Sequence, residues 1–470
     1  MFKTLPTTIL LTLILTMLAS CGGGSNSAAP AGQAVVNDTD ANESPEVVQR
    51  VVWQEATPES VGMDSALLEQ TFDQAFVDGN YTQAALVIKD DKLIYERYRG
   101  ILSTEAANLT ATRVLDSQAL YGLRDKDSLA TSWSTAKSFT SVLIAIAIEQ
   151  GFIESLSEPA STYIDEWQGD ERAAITIRNL LDMRSGLPLV CYDVAGQSLG
   201  VCANAGAAGG DLIFSNNQMS ACINRPLATT NVNQPWHTTG AIWQSGYWLY
   251  SNCDSMVLGE ILYRATGQDL QTYADLQLFS KIGMQAQWWR DNDGTSQVDG
   301  NYLAYCCLDA TPRDFARFGQ LLLNNGVWDS EQVIPSSYVD SIKNITLDSR
   351  VAEIGGGGIF SYGLKFWSII PEVQEDGSVY PLPNTLISTT GFDGQYITID
   401  WDNNIVVVRN GLYSPIINAS DERKMTITSG DLGASSLVGS LPSGLALTQG
   451  SSYVHQRLLY GVNKSIIAAN

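Results

Sequence analysis

Trp133-Ser134-Thr135-Ala136-Lys137-Ser138-Phe139-Thr140 runs directly into Ser141-Val142-Leu143-Ile144-Ala145-Ile146-Ala147-Ile148, and this stretch decides how the chain is read. Residues three apart share a helix face, so Lys137 is expected one turn beyond Ser134 on the same side. A serine hydroxyl is a weak nucleophile until a neighbour takes its proton. An amine whose pKa is lowered by burial can do so. Phe139, Val142, Leu143, Ile144, Ile146 and Ile148 make the helix apolar nearly all round, which predicts a buried core helix. A lysine there needs either a chemical role or an exit for its ammonium at the helix end.

A second segment supports the first. Tyr250-Ser251-Asn252 precedes the apolar run Met256-Val257-Leu258-Gly259-Glu260-Ile261-Leu262. A phenol beside an ammonium is expected to ionise more easily, and Tyr250 can then serve as base or acid. His237 and His455 are the only histidines, and no G-x-S-x-G elbow exists to serve a histidine triad. His455 reads as a surface or packing residue. Gly355 to Gly358 lacks the Gly-Lys-Ser/Thr of a phosphate loop. Asp291-Asn292-Asp293-Gly294 lacks the closing Glu of a calcium loop. Both read as turns.

The chain has 470 residues, room for one large or two ordinary domains. Residues 1–20 read as a signal peptide: Lys3 begins it, and the apolar run Ile9 to Leu18 is short for a membrane span. Leu18-Ala19-Ser20-Cys21 resembles a bacterial lipobox. That implies cleavage before Cys21, a lipid on its thiol and a membrane anchor; Gly22 favours the outer membrane in the Gram-negative pattern. A plain secretion signal is the alternative. Residues 21–50 read as a flexible tether, of roughly 30 Å as a coil and at most about 100 Å stretched. Net charge is −23 for the whole chain. Such acidity argues against nucleic acid and anionic membrane surfaces as partners. Cys191, Cys202, Cys222, Cys253, Cys306 and Cys307 remain after Cys21. Export permits disulfides, and spacing does not choose their pairing. The absence of C-x-x-C and the scarcity of histidine predict no zinc site.

The folded domain is expected over 51–470. Asp64 caps a helix with Leu67, Leu68, Phe72 and Phe76 on one stripe. Ala84 to Ile88 and Leu93 to Tyr95 form a hairpin. Residues 155–330 read as mostly helical and irregular, with Thr311 capping a helix that Gly326 closes. Strands return at Tyr396 to Asp400 and Ile405 to Arg409, and a last helix carries Val454, Leu458, Val462 and Ile466. This predicts an α/β fold: an antiparallel sheet flanked by helices and built from both termini, with an inserted helical subdomain. Cys191 to Gly240 reads as a loop too long for a connector, hence a candidate lid; a disulfide-pinned surface insertion is the equal alternative.

Taken together, Ser134-Thr135-Ala136-Lys137 and Tyr250-Ser251-Asn252 resemble the first two motifs of the serine β-lactamase and penicillin-binding-protein superfamily, in its class C and esterase-like branch. Ile175 to Leu187 and Arg313-Asp314-Phe315-Ala316-Arg317-Phe318-Gly319 resemble further segments of that branch. The third motif departs. Where most β-lactamases carry Lys-Thr-Gly and many esterase relatives His-x-Gly, this chain has Thr389-Thr390-Gly391, without a cation to hold a lactam carboxylate. Gly391-Phe392-Asp393-Gly394-Gln395-Tyr396 looks closest to the 6-aminohexanoate-dimer (nylon oligomer) hydrolase group. The resemblance implies a cofactor-free hydrolase of short amides or esters acting through an acyl-enzyme on Ser134. Lys137 and Tyr250 would share the proton relay, and Asn252 would position Lys137 or the substrate. The backbone N–H groups of Ser134 and Phe392 would form the oxyanion hole. Thr389, Gly391 and Trp133 are candidate substrate contacts. Two alternatives stand: a β-lactamase or D-amino-acid peptidase, and a non-catalytic envelope-binding lipoprotein.

Overall fold

The computed structural model describes residues 52–112, 124–187, 217–227, 248, 250–291, 300–345, 361–369, 379–391, 393–411 and 453–467. The signal peptide, the tether with Cys21, Cys191, Cys202, His237, Gly355 to Gly358 and Phe392 lie outside the described residues.

Ala84–Lys89 (β1) and Lys92–Tyr98 (β2) form the expected hairpin. Asp90 and Asp91 at its tip have φ of 50° and 63°, the left-handed pair that matches a two-residue turn to strand twist. Three short strands follow, Ala130–Thr131 (β3), Ala286–Trp288 (β4) and Leu308–Ala310 (β5), joined as β3-β5-β4. Val327–Trp328 (β6) and Glu331–Gln332 (β7) make a small ribbon. Tyr362–Gly363 (β8), Phe366–Ser368 (β9), Ile387–Gly391 (β10), Gln395–Asp400 (β11) and Ile405–Asn410 (β12) complete a seven-stranded antiparallel sheet, ordered β2-β1-β12-β11-β10-β9-β8. The N-terminal hairpin pairs with the C-terminal strand, Ala84 opposite Asn410 and Lys89 opposite Ile405. The sheet is thus built from both ends of the chain, as expected.

Six helices bear on the site: Ser65–Ala75 (α1), Ala136–Glu149 (α2), Gln218–Ile223 (α3), Asn252–Thr266 (α4), Pro312–Leu323 (α5) and His455–Lys464 (α6). Side chains alternate along a strand, and here the alternation feeds two cores. Val406 and Val408 join Phe139 of α2 and Phe315 and Phe318 of α5 on one face. Ile405 and Val407 meet Leu68 and Phe72 of α1 and Leu458 and Val462 of α6 on the other. Phe139 stacks on Phe318 with ring centroids 3.8 Å apart. Gly319 is where α5 comes closest to the sheet: a Cβ there would lie 2.5 Å from Val406 Cγ1 and 2.9 Å from Ile397 Cγ2.

The caps at Asp64 and Thr311 form, accepting the N–H groups of Leu67 and Asp314. Three expectations are corrected. Leu67 is 39% exposed; α1 instead buries Leu68, Thr71, Phe72 and Ala75, because the sheet face and the α6 side chains packed against it select that side. Helix α5, placed by sequence within the helical insertion, covers the main sheet. Within Cys191 to Gly240, the described residues 217–227 hold the buried helix α3 rather than a loop.

Candidate active site

Ser134, the candidate nucleophile, sits in a turn that three elements hold from outside. Ser134 lies in the 3-10 turn Trp133–Thr135 that feeds α2, not in the α-helix itself. Trp133 has φ of 46°, an uncommon conformation for an aromatic residue, kept only where surroundings over-determine it. Those surroundings are identifiable. Ser132 N–H donates to Leu308 O at 2.8 Å, Leu308 N–H to Ser132 Oγ at 2.9 Å, and Cys307 N–H to Trp133 O at 3.3 Å. From the main sheet, Gln395 O accepts the Thr135 hydroxyl at 3.1 Å. Thr389 is fully buried, its hydroxyl 3.2 Å from that of Thr135; it braces β10 on the turn instead of lining a substrate cleft. Trp133 is half-buried against the core. Gly391 allows the closest approach: a Cβ would lie 2.3 Å from Ser132 O and 3.2 Å from Thr135 Oγ1.

A backbone oxygen cannot swing aside as a side chain can. Gly391→Ala is therefore expected to push β10 away from the turn. We expect a stability loss of about 1–3 kcal/mol and a fall in kcat/KM of about 100-fold from misplacement of the nucleophile, read by denaturant titration and ester hydrolysis. Unchanged kinetics would show that the strand does not set the site.

Lys137 is fully buried, with Nζ 3.0 Å from Ser134 Oγ and 2.7 Å from Tyr305 O, to which it donates. Burial pushes its pKa well below that of an ordinary lysine; Lys365 adds to the effect and Asp254 opposes it. A free amine has one lone pair and two N–H groups. With one N–H on Tyr305 O, the lone pair can face the serine hydroxyl. A backbone carbonyl thus holds the Lys137 amine. Asn252 itself is the first residue of α4 and half-buried.

Tyr250 packs where expected: Lys137 Nζ is 4.9 Å from its ring centroid, and Tyr362, Trp367 and Trp248 surround the ring. Its ionisation runs against expectation. Burial raises the phenol pKa above the ordinary value, and a hydrogen bond with Ser134 only partly opposes this. The cause is desolvation of the ring, which disfavours the charged phenolate. Tyr250 is therefore a proton donor at rest.

Two disulfides are described. Cys222–Cys253 ties α3 to the start of α4, and Cys306–Cys307 joins neighbours in the segment that holds Lys137 and Trp133. Helix α3 is further tied by Tyr305 Oη donating to Gln218 Oε1 and Gln218 N–H donating to Asp291 Oδ2. Asp291 also accepts from Asn301, a clamp between chain segments. The described part of the candidate lid is thus scaffold. His455 is buried as a packing residue, stacked 3.9 Å from the Tyr396 ring between Thr398 and Tyr453.

Sequence reasoning missed Tyr305, Met183, Asp254 and Lys365. Lys365 carried a signal, as a single charge between Leu364 and Phe366-Trp367; Asp254 lies just ahead of its apolar run and did not stand out. Tyr305 acts through its carbonyl, and Met183 through its sulfur, which accepts Ser251 N–H at 3.3 Å; no residue-type pattern encodes either.

Comparison with known proteins agrees with this architecture. One structural relative is described as a candidate 6-aminohexanoate-dimer hydrolase from Bacillus anthracis. It is 22% identical, covers 77% of this chain and 82% of its own, and has a TM-score of 0.52. A penicillin-binding-protein homologue from Caulobacter crescentus is 13% identical over 85% of this chain and 97% of its own, with a TM-score of 0.54. EstCE1, a hydrolase with promiscuous acyltransferase activity, is 14% identical over 84% and 98%, with a TM-score of 0.52. At these identities the likeness is one of fold. Residues 72–415 match the Beta-lactamase family, and the chain belongs to it.

Proposed function

We propose that this chain is a serine hydrolase that cleaves short amides or esters through an acyl-enzyme on Ser134. The observation that carries this reading is the buried Lys137 amine, 3.0 Å from Ser134 Oγ and depressed in pKa by burial. A base works best with a pKa near the working pH, and burial moves a lysine that way. Ser134 Oγ attacks the carbonyl as Lys137 Nζ takes its proton. The Tyr250 phenol protonates the departing amine or alcohol. Water then attacks the ester carbonyl as the Tyr250 phenolate takes its proton, and the Lys137 ammonium returns a proton to Ser134 Oγ as the acyl–oxygen bond breaks. The N–H groups of Ser134 and Phe392 are the proposed oxyanion donors, each worth about 3 kcal/mol where such a hole forms.

A non-catalytic envelope-binding protein has no use for three convergent proton-transfer groups. The absence of a cation in Thr389-Thr390-Gly391 supports uncharged acyl groups over anionic lactams. The likeness to the candidate 6-aminohexanoate-dimer hydrolase points the same way. The Beta-lactamase family match favours a second reading, a β-lactamase or D-amino-acid peptidase. We further propose that the Cys21 lipid and the tether hold the enzyme at a bacterial outer membrane.

The test is mass spectrometry of the intact chain after a fluorophosphonate and, separately, benzylpenicillin. The expected result is one phosphonate, mapped to the Ser134 peptide, and no penicilloyl adduct. A penicilloyl group on Ser134 would transfer the site to the second reading. No phosphonate on Ser134 would end the hydrolase reading.

A further inference from the structure

Lys365 is a second fully buried lysine, and the reaction as derived leaves it idle. It stands in the β8–β9 turn with Leu364, at φ of 66° and 50°. Both backbones are tied on two sides. Lys365 N–H donates to Leu181 O at 3.1 Å and Leu364 N–H to Asp182 Oδ1 at 2.8 Å. In return Ser138, the residue after Lys137, donates to Lys365 O at 2.7 Å, and Ser141 donates to Leu364 O at 2.6 Å. The turn is thus bolted to the nucleophile helix. Lys365 Nζ reaches the Met183 sulfur at 3.2 Å, and that sulfur also receives Ser251 N–H, next to Tyr250. Asp254 is fully buried on the next turn of α4, with Oδ1 accepting the Ser185 hydroxyl at 2.6 Å.

We propose that Lys365 is a positioning residue of the proposed hydrolysis, a fixed buried charge held by Met183 that biases Lys137 toward the free amine. The inference rests on the serine-hydrolase reading. A like charge at short range in a dry interior disfavours a second one. The groups that act on Lys137 are Lys365, which lowers its pKa, and Asp254, which raises it; Tyr250 and Tyr305 present their rings. Those that act on Lys365 are Asp254 and Asp182, against burial, leaving it at about 8; burial in turn pushes Asp254 up to about 7, so its carboxyl titrates in the same range. Lys365 therefore stays protonated at pH 7.

The test is the pH profile of kcat/KM for a short p-nitrophenyl ester in the wild type, Lys365→Met, Lys365→Gln and Lys365→Arg. Removing the charge raises the Lys137 pKa, so the acidic limb moves to higher pH. We expect a move of about one unit, hence about tenfold lower kcat/KM on the limb and recovery on the plateau. Lys365→Arg keeps the limb in place. A folded neutral variant with a wild-type limb overturns the proposal. So does a loss equal at every pH, which a merely structural role would give. A measurement without variants covers failure to fold: nitrogen NMR of the lysine-labelled intact chain must show Lys365 protonated at pH 7, and a neutral Lys365 overturns the proposal as well. If the wild type itself shows neither Ser134 labelling nor ester turnover, the hydrolase reading has failed instead.

Discussion

Lys137→Met is expected to lower kcat/KM for a short p-nitrophenyl ester by about 10³- to 10⁴-fold, the upper range for a positioned base. Methionine matches the length of the lysine stem and fills the same volume, so the loss reports the amine. The fold is expected to survive. Tyr305 O loses its donor, at about 1–3 kcal/mol, but the desolvation penalty of the amine is relieved as well. In the wild type the sign of the pH dependence follows from burial. Lys137 lies well below the ordinary lysine value of 10.5, so the free-amine fraction rises with pH and kcat/KM levels off below that value. The measurement is steady-state hydrolysis against pH with thermal melting as the control. A folded Lys137→Met chain retaining a tenth of wild-type activity would remove Lys137 as the base.

Tyr250→Phe is expected to separate substrates by leaving group. With the phenol neutral at rest, its task is to hand a proton to the departing atom. An alkyl amide cannot leave without that proton, whereas p-nitrophenolate can. We expect about 10³-fold loss of kcat/KM on a short alkyl amide or ester and only about tenfold on the p-nitrophenyl ester, within the usual range for proton transfer. The ring keeps its contacts with Trp367, Tyr362 and Trp248, so stability changes little. Parallel kinetics on both substrates settle the matter: equal losses would make Tyr250 a base or an orienting group rather than the acid.

Much of the sheet was legible because local rules and tertiary demands coincide there. The Asp90-Asp91 turn, the caps at Asp64 and Thr311, and the alternation along Ile405 to Val408 each carry their own cause. The stripe on α1 was misread at Leu67 because a 3.6-residue period leaves the stripe edge ambiguous, and only the facing strands choose. Thr389 was assigned to substrate for its place beside Gly391; the sheet instead turns its hydroxyl onto Thr135.

By itself the sequence determined the chemistry available: a serine, a lysine three residues on and a distant tyrosine, with apolar runs that force them inside. A separation of three residues was enough for Ser134 and Lys137, because that distance is local even across the 3-10 turn that feeds the helix. Only the tertiary structure decided the protonation states, because these depend on what surrounds a group rather than on its neighbours in sequence. Burial lowers the Lys137 pKa and raises that of Tyr250, Tyr305 O accepts an N–H of the amine, and Lys365 arrives beside this helix from a turn more than 220 residues away.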